Sequence, residues 1–177
     1  GPPSGFPGSV PDPVLHGKLR SLGRLLLIAG RKLEEASSRR AAWLDSSAVV
    51  SEHVLHVSGA ALRGAAEALL KDRWDRARQF LRVARSQVKP LFLQEQLAPL
   101  QGMLSGSPAL VDATAALAGL GRTLERQAER VGEACSCLDG AVCAPLEDAF
   151  FDAAGALSAA ARLFDKSPRA ASADAGA

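Results

Sequence analysis

Apolar residues recur at alternating intervals of three and four along most of this chain, and this spacing constrains the fold more than any other feature. Such spacing places the apolar side chains on one face of an α-helix, whereas a half-buried strand alternates at every second residue. The longest run covers about eight helical turns and consists of Leu110, Thr114, Leu117, Gly121, Leu124, Ala128, Val131, Cys135 and Leu138. The pattern predicts an all-helical protein.

Stretches rich in Gly, Pro and Ser divide the chain into five segments with this spacing. The first segment is predicted to begin with Asp12 as the N-cap and Pro13 in the first turn, because proline is tolerated where the amide has no helical partner. The second is predicted to open at Ser46 or Ser47, since a serine side chain can accept a hydrogen bond from a free amide of the first turn.

The remaining three segments have weaker or more complex boundaries. The third begins after Asp72 and is interpreted as one long helix kinked near Pro90, with two separate helices as the alternative. The fourth is predicted to be capped by Ser107 and to stop at Gly140, and Pro145 is predicted to open the fifth.

These segments predict one domain, an elongated antiparallel up-and-down bundle of four or five long helices over residues 12–165. Alternating spacing is typical of helices that cross at about 20°, and short breaks favour antiparallel neighbours. With 177 residues, of which 47% are apolar, the chain can bury one core but hardly two. Residues 1–11 resemble the remnant of an expression tag, and residues 166–177 are predicted to be a disordered tail.

Charge is distributed unevenly along the chain. Residues 1–107 contain 15 basic and 9 acidic residues, a net charge of +6, and residues 108–165 contain 4 basic and 9 acidic residues, a net charge of −5. The total of +2 is too small to indicate nucleic-acid binding, and few aromatic residues accompany the cations. The two halves are predicted to attract each other within the fold or between copies.

A ridge of basic residues in the third segment is the predicted partner-binding site. Its cations are spaced four, three and four apart beside an apolar stripe that begins with a tryptophan, and the set is Arg78, Arg82, Arg85, Lys89 and Trp74. Such a ridge can bind an acidic helix, phosphate groups or an anionic lipid surface. The alternative is that its cations pair within the fold with Glu125, Glu129 and Glu133 of the fourth segment.

The sequence contains no catalytic motif, and the chain is predicted to be neither an enzyme nor a metal- or cofactor-binding protein. The odd number of cysteines argues against a disulfide-stapled secreted module and predicts a reducing, cytoplasmic location. Redox sensing through Cys137 and Cys143 is an alternative, with Cys135 as a core residue. His53 and His56 lie one turn apart and are interpreted as surface residues rather than ligands.

One stretch resembles a known group of helical adaptors. Residues 61–77, ALRGAAEALLKDRWDRA, consist of a long Ala/Leu helix, a very short polar break and a restart at Trp74 with Ala77. This pattern resembles helix junctions in the vinculin, α-catenin and talin-rod bundles, and the resemblance covers the middle two-thirds of the chain. It implies a four- or five-helix bundle that acts as an adaptor, binds partner helices or actin, and is linked to the cytoskeleton.

The sequence therefore predicts a non-enzymatic interaction module that docks a partner helix or an acidic linear motif between two helices, or that self-associates through such a face. The alternative function is binding to a membrane surface as a peripheral protein that opens to expose its apolar stripes. No apolar run approaches the roughly 20 residues that a membrane-spanning helix requires.

Overall fold

The computed structural model of this protein describes residues 13–82, 91–92, 94–105, 110–136 and 140–165. These residues contain six α-helices and no strand, which confirms the all-helical prediction. The proposed tag remnant and the proposed tail lie outside the described residues. The helices are α1 (Pro13–Arg39), α2 (Glu52–Leu70), α3 (Trp74–Leu81), α4 (Gln94–Leu104), α5 (Leu110–Ala134) and α6 (Gly140–Leu163).

The predicted apolar stripes form the core. Pro13 is the first helical residue of α1, as expected, and Asp12 lies outside the described residues. The α1 stripe is buried at Leu19, Leu22, Leu26, Ala29, Leu33 and Ala36. Phe164, directly after α6, and stripe residues of α5 and α6 are buried in the same cluster; the helical residues include Leu117, Leu124, Val131, Leu146, Phe150 and Leu157.

Helices α1 and α2 run antiparallel and approach closely at two glycines. A Cβ atom built on Gly30 would lie 2.6 Å from the Arg63 amide nitrogen and 2.7 Å from the Gly59 carbonyl oxygen. Farther along the pair, Gly23 faces Leu69, and the Ser37 hydroxyl donates to the Glu52 carbonyl at 2.9 Å. The two backbones can pack at this distance because neither glycine has a side chain.

The connection between α1 and α2 differs from the prediction. Helix α2 is capped by Ser51, whose hydroxyl accepts from the Val54 amide at 3.2 Å, and not by Ser46 or Ser47. Asp45 accepts from the amide and the hydroxyl of Ser47, and these bonds close a turn instead of starting a helix.

Arg40 fixes the rest of this connection. Its guanidinium donates to four backbone carbonyls of the loop, those of Ala41, Leu44, Val49 and Val50. Burial lowers the pKa of Arg40. In a helix, these carbonyls would accept from backbone amides. Because Arg40 donates to them instead, residues 41–50 can form turns without leaving the carbonyls unpaired.

The third segment is two helices. Helix α3 ends at Leu81, because Arg82 has the non-helical angles φ −79° and ψ 73°, and α4 begins at Gln94. The single kinked helix is therefore wrong, and the alternative of two helices is confirmed. Pro90 falls between them, and a proline both lacks an amide donor and disfavours helical geometry in the residue before it.

Helices α5 and α6 form a second antiparallel pair. Gly121 of α5 faces Ser158 of α6, and Gly132 faces Glu147. A disulfide joins Cys135 to Cys143, with their Cα atoms 6.1 Å apart. Cys135 is buried, as expected for a core residue, and its bond to Cys143 is a pairing that the sequence did not predict.

This cross-link explains two further differences from the predicted boundaries. Gly140 begins α6 instead of ending α5, and Pro145 lies inside α6 instead of opening it. The first turn of α6 is held against the end of α5 by the disulfide and by burial of Cys143 and Leu146. Tertiary contacts thus extend the helix ahead of a proline that costs it one backbone hydrogen bond.

A candidate partner-binding groove

The junction between α2 and α3 is a tight left-handed turn. The Arg73 amide donates to the Ala68 carbonyl at 2.8 Å, and the Asp72 amide donates to the Leu69 carbonyl at 3.1 Å. This is the Schellman pattern, in which the residue after the C-cap adopts positive φ. That residue is Asp72, with φ 57°, where glycine is the usual choice.

The Asp72 carboxylate attaches this turn to α1. Its Oδ1 atom lies 2.8 Å from Nε2 of His16, and its Oδ2 atom accepts from Arg20 at 3.4 Å. The His16 ring also stands edge-on to Trp74, with centroids 6.2 Å apart. These contacts fix the directions of the residues on either side of Asp72, which are Lys71 and Arg73.

Lys71 and Arg73 border a cavity of about 300 Å³ between α2 and α3, which we call the basic groove. Phe80 forms one wall and lies directly on α2, since a Cβ atom on Gly64 would be 2.5 Å from its ring. The Arg76 guanidinium carbon lies 5.9 Å from the Phe80 ring centroid, within cation–π range. The lining residues are Gly64, Glu67, Ala68, Lys71, Arg73, Arg76 and Phe80.

The basic groove carries positive charge that its own surroundings leave unpaired. Lys71, Arg73 and Arg76 are exposed, and no carboxylate of the described residues forms an ion pair with them. Glu67 is the acidic member of the lining, and it accepts from Arg63 at 3.4 Å. The groove therefore presents three available cations beside a phenylalanine that is 37% exposed.

Arg63 links this wall to α1. Its Nε atom donates to both carboxylate oxygens of Glu34 at 3.1 Å. The Glu34 hydrogen bonds and charge, with a smaller contribution from Glu67, raise the pKa of Arg63. This network orients the α2 wall of the groove without using the three available cations.

Three of the five residues of the predicted ridge, Trp74, Arg78 and Arg82, are among the described residues. Trp74 is only 2% exposed and packs in the core, because it starts the buried stripe that continues to Ala77 and Leu81. Arg78 donates to Asp75 at 2.7 Å and to the Ser105 hydroxyl at 2.6 Å. Arg82 is exposed at the end of α3, and Arg85 and Lys89 lie outside the described residues.

The cations of this groove are visible in the sequence, but their convergence is not. Lys71, Arg73 and Arg76 directly precede the cations of the predicted ridge along the chain, and neither they nor Phe80 belong to the predicted site. The i,i+4 spacing of Arg76 and Phe80 on a helix is the one sequence signal for their contact. Of the ridge cations, the structure describes Arg78 and Arg82, and neither forms an ion pair with Glu125, Glu129 or Glu133.

Other candidate sites are less developed. His53 and His56 are both exposed, and Cys137 lies outside the described residues. In the part of the chain that the structure describes, no three His, Cys, Asp or Glu side chains are grouped to hold a metal ion. None of the described helices combines the length and apolar character needed to cross a bilayer. Comparisons with protein-family models, curated proteins and solved structures find no match to this chain.

Proposed function

We propose that this chain is a non-enzymatic interaction module whose basic groove binds an acidic linear motif of another protein. The observation that carries the proposal is the convergence of Lys71, Arg73 and Arg76 with the half-exposed Phe80 on one concavity. Carboxylates of the motif would accept from the three cations, and an apolar residue of the motif would pack on the phenylalanine.

The groove is prearranged for this role. Arg76 is positioned over Phe80, and the turn that carries Lys71 and Arg73 is anchored to α1 through Asp72. Ordering costs paid in the free protein do not have to be paid on binding, so even a few exposed charge contacts can contribute affinity. Such contacts act mainly on association rate and specificity, and they weaken as salt increases.

We also propose that the long helices form an elongated antiparallel up-and-down bundle, in which the shorter helices α3 and α4 connect α2 to α5. Support comes from the antiparallel pairs α1–α2 and α5–α6, and from the Lys32–Asp152 ion pair of 3.5 Å that joins α1 to α6. Adaptor function of the vinculin, α-catenin and talin-rod type, a cytoskeletal link and a cytoplasmic location stay predictions. The odd number of cysteines gives the cytoplasmic location less support than the sequence suggested, because Cys135 and Cys143 are joined in a disulfide.

Fluorescence anisotropy with a labelled synthetic peptide tests the binding proposal. The probe is a short Asp/Glu-rich peptide with one central Leu, and its control has Asn and Gln in place of the acids. We expect saturable binding of the acidic peptide alone, with affinity falling as salt is raised from about 0.05 to 0.3 M. Equal binding of both peptides, or no binding at low salt, contradicts the proposal.

Matched charge reversals separate the groove from general charge attraction. Arg73→Glu with Arg76→Glu places acidic residues at the start of α3, where the helix dipole favours them, so folding should be retained. Two exposed charge contacts are worth up to about 2 kcal/mol, and reversal adds repulsion, so affinity should fall by about tenfold to thirtyfold. The control, Arg122→Glu with Arg126→Glu on α5, changes net charge equally and should leave affinity within about twofold. A similar loss in both variants would assign binding to net charge.

Binding to a membrane surface is the competing outcome. The apolar stripes that would enter a bilayer are buried in the core, whereas the basic groove is open in the folded protein. Co-sedimentation with vesicles of anionic phospholipid, without any peptide, measures this activity directly. Vesicle binding that survives the groove reversal, together with no peptide binding, would favour the membrane alternative.

A further inference from the structure

Trp43 is 54% exposed, which is unusual for the side chain with the largest apolar area. It lies in the connection between α1 and α2, at the edge of a cavity of about 470 Å³ that this connection forms with the end of α5. We call this surface the tryptophan patch. Its lining residues are Trp43, Leu44, Asp45, Ala48, Arg130, Glu133 and Ala134.

The tryptophan patch is held in place from beneath. Arg40 donates to carbonyls on both sides of Trp43, and Leu44 is buried next to it in the core. The buried Gln127 of α5 accepts from the Val50 amide at 3.1 Å, which attaches the loop to the helix that carries the other half of the patch. Trp43 is therefore exposed on an ordered loop, and aromatic side chains of this kind are enriched among residues that dominate interface energies.

The charges of the tryptophan patch are complementary to each other. Arg130 and Glu133 are one turn apart on α5, both are exposed, and neither forms an ion pair with a described residue. The third charge, Asp45, already accepts two hydrogen bonds from Ser47. A surface that presents one available cation and one available anion is matched by a copy of itself turned through a two-fold axis.

We propose that two copies of this chain form a symmetric dimer through the tryptophan patch. Arg130 of each copy pairs with Glu133 of the other, across an axis that passes between these positions of the two antiparallel α5 helices. Each Trp43 side chain inserts into the cavity of the other copy. A partner with a single sign of charge would leave one of the two ions unpaired on desolvation, which disfavours it relative to a second copy.

The dimer is separate from the peptide-binding proposal. The tryptophan patch lies before the start of α2, and the first groove residue on that helix, Gly64, is twelve residues beyond Glu52, about 18 Å along the helix axis. Loss of either activity therefore leaves the other testable.

Sedimentation equilibrium of the full chain tests the proposal. As the concentration is raised to about 100 µM, the average mass should increase to twice the 18.4 kDa of one chain. Trp43→Ala, Arg130→Glu and Glu133→Arg should each return the mass to that of one chain, with helical content by circular dichroism unchanged. The double variant Arg130→Glu with Glu133→Arg restores the pairing with reversed signs and should restore the dimer.

Arg126→Glu, one turn before the tryptophan patch, is the matched control and should remain dimeric. A wild-type chain that is monomeric throughout the concentration series overturns the proposal. So does a dimer that persists in the Trp43 and single-charge variants, because another surface would then form it. Failure of the double variant to dimerise would overturn the assigned ion pair.

Discussion

Replacement of Gly30 by alanine tests the close packing of α1 on α2. The new Cβ atom would lie 2.6 Å from the Arg63 amide nitrogen, 2.7 Å from the Gly59 carbonyl oxygen and 3.1 Å from the Arg63 Cα atom. All three are backbone atoms, so no side-chain rotation can relieve the contacts, and the two helices must move apart.

The expected loss of stability follows from two opposing contributions. Overpacking against an unyielding neighbour costs about 3 kcal/mol, at the upper end of the usual range. Alanine gains about 1 kcal/mol over glycine inside a helix. The free energy of unfolding should therefore fall by about 2 kcal/mol, which for a chain of this size lowers Tm by about 6 °C.

Gly155→Ala is the matched control for this prediction. Gly155 also lies inside a long helix, but nothing approaches its Cβ position within 4 Å. The same substitution should there increase stability by about 1 kcal/mol. Urea unfolding followed by far-UV circular dichroism measures both variants. If Gly30→Ala were as stable as Gly155→Ala, the close approach of α1 and α2 would be refuted.

Two further predictions concern the disulfide and acid stability. Cys143→Ser should lower the free energy of unfolding by about 2.5 kcal/mol, because the disulfide with Cys135 closes a short loop in the unfolded chain; urea midpoints unchanged by the substitution or by dithiothreitol would contradict the cross-link. The Lys32 hydrogen bond lowers the pKa of Glu35 from its ordinary value of 4.5. Its contribution to stability is therefore complete above that value and is lost as the pH falls through the lowered pKa. Glu35→Gln should lose less stability than wild type between about pH 7 and pH 3, and equal losses would contradict the role of this carboxylate.

The sequence predicted helices well where one apolar stripe decides the structure. The stripes of α1, α5 and α6 are buried at the expected positions, from Leu19 in the first helix to Phe164 beyond the last. These positions follow from the helical repeat and the burial of apolar area, which act within one segment. Neither requires knowledge of the neighbouring helices.

The helix boundaries were predicted less well, because contacts between distant residues determine them. Ser51 caps α2 because Arg40, directly after α1, satisfies the carbonyls of the preceding loop. Helix α6 begins before Pro145 because Cys143 is tied to the end of α5. Neither interaction can be recognised from the identities of the residues at the helix ends.

The candidate site needed the three-dimensional structure for the same reason. Its cations are visible in the sequence, but the groove depends on the left-handed turn at Asp72 and on the packing of Phe80 against Gly64. Neither is encoded by spacing along one helix. Likewise, the exposure of Trp43 follows from the turns that Arg40 imposes on its loop.

Mapping of the bound acidic peptide by backbone amide NMR is the most direct test of the proposed function. Titration of the peptide into the labelled chain should shift amide resonances around the basic groove, from Gly64 through Lys71 to Phe80, and should leave those around Trp43 unchanged. Shifts that are absent, or that spread over exposed arginines such as Arg122 and Arg162, would contradict the assignment of the basic groove as the binding site.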